Sequence, residues 1–100
     1  MTLTDLNKHL YFSLENFNLV LRRLFQYKCS KCEVLYDLTL MKAEIMKDCH
    51  VIERFDFSKL KTLNEWSELE HRLFDRLGDL VMELAQERAQ KDTENYNEEM

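Results

Sequence analysis

One hundred residues suffice for a single domain, and 14 Lys and Arg against 19 Asp and Glu leave a formal charge of -5, the opposite of the clustered positive charge on which nucleic-acid binding rests. Hydrophobic residues make up 45% and charged residues 33%, which excludes a fibrous chain or one disordered by composition. There is no proline and one glycine, Gly78; turn-rich β architectures need both residue types at their corners, so the composition favours long helices with short connections.

The first ten residues include Asp5, Asn7, Lys8 and His9, so no apolar signal core opens the chain. Nor does any apolar run approach the roughly 18–20 residues of a membrane span. Thr2 with Asp5 makes a loose capping box, in which a hydroxyl accepts from a backbone N–H three residues on and a carboxylate reciprocates. Leu3, Leu6, Leu10, Leu14, Phe17, Leu21 and Leu24 follow at steps of three and four, which predicts a helix over 3–27. Phe12 and Leu19 lie nearly opposite this stripe, among Lys8, Glu15, Asn16, Arg23 and Gln26. Two large apolar groups one heptad apart on a polar face suit a helix-in-groove contact, so Phe12 and Leu19 are the candidate partner-binding residues. Solitary surface hydrophobes, or cover from a later segment, are the ordinary alternative.

Ser30 with Glu33 is a second capping box, and Val34, Leu38, Met41, Ile45, Cys49 and Ile52 continue at helical spacing, predicting a helix over 31–53. Residues 54–62 form a connection that Phe55, Phe57 and Leu60 should pin over one end of the core. Thr62 with Glu65 caps a third helix, 63–91, whose stripe is Trp66, Leu69, Leu73, Leu77, Leu80 and Leu84. Residues 92–100 are polar and acidic and read as a disordered tail. Short loops force neighbouring helices antiparallel, so the expected fold is all-α: one domain over 1–91, an antiparallel three-helix bundle with long helices.

The third helix is apolar beyond a single seam. Phe74, Gly78, Val81 and Ala85 run beside the main stripe, and small side chains there would admit a second helix, so these four are candidates for self-association as a homodimer. Packing against both other helices explains the same residues without a dimer.

Cys29, Cys32, Cys49 and His50 raise the question of zinc. An unbroken helix from residue 31 would hold Cys32 and Cys49 roughly 26 Å apart, too far for one ion. The bundle would instead bring His9 toward Cys49 and His50, a set of three with no evident fourth ligand, so no metal and no cofactor is expected. Three cysteines with no leader place the chain in a reducing cytoplasm.

No phosphate-binding glycine loop, nucleophile elbow or HExxH pair is present, and the carboxylates of the third helix read as a solvated face, so no enzymatic activity is expected. What remains is a protein-interaction module, an adaptor, inhibitor or regulator, with a small metal-binding or DNA-binding helical regulator as the alternative; long helices and the lack of a basic recognition helix argue against the DNA reader. Residues 1–15, MTLTDLNKHLYFSLE, resemble the openings of small helical accessory proteins encoded by bacteriophages. That resemblance implies a small protein that binds and modulates a host or phage protein.

Overall fold

The structure is a computed structural model that describes residues 2–25 and 29–99, with side chains described as far as Lys91. It is an α+β arrangement and not the expected all-α three-helix bundle. The element order is α1 (Leu3–Phe25), β1 (Cys32–Asp37), β2 (Lys42–Lys47), β3 (His50–Asp56) and α2 (Leu63–Glu99). The three strands form one antiparallel meander with β2 in the middle.

Two of the three capping boxes form. Thr2 Oγ1 accepts from the Asp5 N–H at 3.2 Å while Asp5 Oδ2 accepts from the Thr2 N–H at 3.2 Å. Those bonds from Thr2, the backbone one foremost, hold the Asp5 carboxyl below the usual range. Thr62 Oγ1 accepts from the Glu65 N–H at 3.1 Å and starts α2. The third box does not exist. Ser30 donates instead to Glu87 Oε1 of α2 at 2.7 Å, and Glu33 lies in β1.

The predicted second helix over 31–53 is the meander, and its stripe explains the misreading. Val34 and Ile45 share a face at either period, but Leu38 and Ile52, on the same helical stripe, are 39% and 42% exposed. The period that buries surface is two: Cys32, Val34 and Tyr36 pair across the sheet with Lys47, Ile45 and Ala43, and Ala43 pairs with Phe55. Val, Ile, Tyr and Phe at these positions suit a pleated surface better than a helix.

Neither hairpin uses glycine, so neither is visible as a turn motif. After β1, Asp37 Oδ1 accepts from the N–H groups of Thr39 and Leu40 at 2.8 and 2.9 Å, and Met41 closes the turn at φ 56°. Between β2 and β3 a two-residue loop, Asp48 and Cys49, takes φ 51° and 68°, the doubly left-handed conformation that matches strand twist. A bulge at Ile45/Met46 then shifts the register of β3.

An odd number of strands returns the chain to the end from which α1 began, so α1 and α2 run parallel, not antiparallel. Tyr36, Phe57 and Trp66 meet at that end, Tyr36 edge to face on Phe57 with centroids 6.2 Å apart and Phe57 tilted against Trp66 with centroids 4.6 Å apart. At the other end Arg88 Nη1 donates to Leu24 O at 2.6 Å and the Cys29 thiol donates to Leu84 O at 3.1 Å.

The core joins Leu10, Leu14 and Leu21 of α1, Val34, Ala43, Ile45 and Phe55 of the sheet, Phe57, and Trp66, Leu73, Leu77, Leu80 and Leu84 of α2. Arg76 ties α2 to β3 through Glu53 at 2.8 Å. The molecule measures 59 × 22 × 20 Å because α2 has 37 residues, about 55 Å at 1.5 Å each, while its buried leucines stop at Leu84. The side chains of the expected tail, 92–100, lie outside the described residues; the backbone of α2 runs to Glu99. Among the described residues no helix is long and apolar enough to cross a membrane.

Candidate functional site

The site begins with two asparagines. Asn7 and Asn18 are eleven residues apart, three helical turns, so both project from one side of α1. Asn18 Nδ2 donates to Val34 O at 2.8 Å, and its Oδ1 accepts from Val34 N–H at 2.8 Å. The side-chain amide thus occupies the place of a neighbouring strand on the outer edge of β1. Asn7 Nδ2 donates to Leu38 O at 3.1 Å, and Asn7 Oδ1 accepts from the Tyr36 hydroxyl. Burial pushes that hydroxyl up to about 12, so it stays a donor at any ordinary pH.

Held along the β1 edge, α1 stands beside the sheet's outer face and walls a groove of about 1090 Å³. Tyr11, Glu15, Leu19 and Arg22 of α1 form one side; Leu35, Glu44 and Arg54, one from each strand, form the floor; Leu40 of the first turn closes one end. Three leucines are exposed together here: Leu19 by 50%, Leu35 by 46% and Leu40 by 56%.

The groove's charges are partly self-satisfied. Arg54 Nε lies 2.9 Å from Glu44 Oε2, and Lys42 stands in register between Asp37 and Asp56. Hydrogen bonds from the Ser58 hydroxyl and N–H hold the Asp56 carboxyl below its usual range. Five carboxylates (Glu15, Glu33, Asp37, Glu44, Asp56) against three cations (Arg22, Lys42, Arg54) leave the lining acidic.

Of the two residues expected to bind a partner, Leu19 lines this groove. Phe12 does not; it is 65% exposed and stacks edge-on against Tyr11, centroids 5.5 Å apart, which places it on the rim. Leu35, Leu40 and Tyr11 were not among the expected partner-binding residues; the first two lie in the segment that reads as a helix over 31–53. The one signal available was the pair of amides, Asn7 and Asn18, beside a leucine stripe at a whole number of turns.

The self-association candidates sit on α2. Val81 packs partly against the core, whereas Phe74, Gly78 and Ala85 are exposed.

The metal candidates do not converge. His9 lies on α1 near the end where Asn7 meets Leu38, while Cys49 and His50 lie at the opposite end, where Asp48 N–H donates to Lys31 O at 2.8 Å. The strand pairing also overturns the helical separation of Cys32 from Cys49: Cys32 faces Lys47, so both thiols share one end of the sheet. Among the described residues no group of three or more His, Cys, Asp or Glu is placed to hold a metal. Burial pushes the Cys32 thiol up to about 11, the reverse of an activated nucleophile. No disulfide joins the three cysteines.

No family model, curated protein or solved structure matches the chain.

Proposed function

We propose that this chain is a non-enzymatic protein-interaction module that seats a segment of another protein in the groove between α1 and the outer face of the sheet. The observation that carries the reading is the joint exposure of Leu19, Leu35 and Leu40 around one concavity of about 1090 Å³. Apolar side chains held open on a rigid floor are what a peptide-binding groove offers, and grooves of this kind take amphipathic helices through anchors on successive turns. The acidic lining selects a partner segment with basic flanks. Phe12, on the rim beside Tyr11, extends the contact past the groove.

The resemblance of residues 1–15 to the openings of phage accessory proteins makes the partner a host or phage protein whose activity this chain inhibits or regulates. Three cysteines outside any disulfide fit a reducing cytoplasm.

The test is selection from a library of helical peptides against the folded protein, followed by titration of the enriched sequences against Leu19→Asp and Leu35→Asp. Basic amphipathic peptides that lose at least tenfold in affinity for both variants support the groove; a tenfold loss corresponds to about 1.4 kcal/mol. Undiminished binding to both rejects it.

A further inference from the structure

We infer that the segment seated in the groove carries an asparagine or glutamine whose carboxamide pairs with the main chain of Tyr36, as Asn18 pairs with Val34. This rests on the reading of the groove as a docking site and adds to it the group that selects the partner.

The strand register decides which backbone groups of β1 face outward. In an antiparallel pair, successive residues alternate between bonding the neighbouring strand and facing away from it. Asp48 N–H donates to Lys31 O and Met41 N–H donates to Asp37 O, so the odd-numbered residues bond toward β2. Val34, whose N–H and C=O both engage Asn18, shows that the even-numbered ones face α1. Tyr36, opposite Ala43, is the next outward residue, and it lines the groove. Its ring packs on Phe57 and its hydroxyl donates to Asn7. What Tyr36 offers a ligand is therefore its main chain. Among the described residues no hydrogen bond reaches that outward N–H or C=O.

The neighbouring contacts limit what can fill the place. An added strand bonds alternate residues of an edge in succession. Here Asn18 holds Val34 on one side of Tyr36, and Asn7 holds the Leu38 carbonyl on the other. The opening has room for one residue's pair of bonds, which a side chain can make and a strand cannot continue. Lysine and arginine only donate, and an ionised carboxylate only accepts; the carboxamide sets a donor beside an acceptor as a peptide group does. The fold makes the same choice at Val34. A helix lying in the groove can present such an amide from one turn while its apolar anchors meet Leu19, Leu35 and Leu40. Docking takes water away from Tyr36, so a partner without the amide leaves both backbone groups desolvated and unpaired, which is how polar sites discriminate most strongly.

The probe is a peptide enriched from the helical library, whose groove binding is established by its losses against Leu19→Asp and Leu35→Asp. Enriched peptides should share one carboxamide position. Replacing that residue by methionine, which keeps the length and adds no charge, should weaken binding at least tenfold. Amide hydrogen exchange followed by NMR reads Tyr36 directly: in the free protein its N–H should exchange at least tenfold faster than those of Val34 and Leu35, and the peptide should slow it at least tenfold. The methionine peptide, at a concentration that saturates the groove, should leave Tyr36 exchanging as in the free protein. Groove-binding peptides that share no carboxamide, that tolerate methionine, or that leave Tyr36 exchange unchanged would overturn the inference while the groove reading stands. So would a Tyr36 amide as slow as Leu35 in the free protein. Failure to enrich any groove-binding peptide removes both.

Discussion

Asn18 and Val34 are joined as one strand is to the next: the Asn18 side-chain amide donates to the Val34 carbonyl and accepts from its N–H, both at 2.8 Å. An edge strand otherwise presents unpaired backbone groups that invite pairing with other chains. Here a helix side chain occupies that edge at one residue, and the same contact fixes how far α1 stands from the sheet. The groove exists because this amide holds its wall in place.

Replacing Asn18 by alanine removes two hydrogen bonds and leaves the Val34 backbone groups without their partner. The expected cost is about 2 kcal/mol in chemical denaturation. Asn7→Ala, on a more exposed bond to Leu38, should cost less.

Ile45 and Leu38 distinguish the meander from a helix. Seven residues apart, they would share a helical stripe, yet Ile45 is fully buried and Leu38 is 39% exposed. Ile45→Ala should cost about 2–5 kcal/mol and Leu38→Ala under about 1 kcal/mol. Equal costs would contradict the strand register.

Cys49 occupies the second left-handed position of the β2–β3 loop at φ 68°. An L side chain there is held against its preference by roughly 1–2 kcal/mol, which glycine relieves. After the entropy that glycine adds to the unfolded chain, Cys49→Gly should gain about 1 kcal/mol, seen as a higher melting temperature.

Burial raises the Cys32 thiol from 9.0 to about 11, so the folded state favours the protonated form more than the unfolded state does. The resulting stability is complete below about pH 9 and is lost as pH rises toward 11. Denaturation midpoints should fall across that window, and Cys32→Ala should flatten the slope. At pH 8 Cys32 should alkylate more slowly than the exposed Cys49.

The two helices flanking the meander were legible because their information is local. Thr2 and Thr62 cap as their spacing requires, and leucines at three- and four-residue steps declare a buried face whatever lies opposite. Residues 31–53 were not legible for a local reason as well. Val34 and Ile45, eleven apart, are consistent with a helical stripe, and the turns that would have broken it are made by Asp37, Met41, Asp48 and Cys49 without glycine or proline. Scarcity of those two residues excluded the signals of β structure and not β structure itself.

For the site, the sequence placed Leu19 on a face away from the core but supplied no opposite wall, because Leu35 and Leu40 lie in a hairpin that reads as a helix. By itself the sequence determined two amphipathic helices, their starts, and an acidic chain without a membrane-crossing helix. The tertiary structure alone decided that an odd number of strands turns those helices parallel and that an asparagine amide fastens one of them to a sheet edge. Capping and periodicity act within a few residues, whereas the strand pairs reach up to fifteen residues along the chain and the Asn18–Val34 edge contact sixteen, and their energies are set only when the chain has folded.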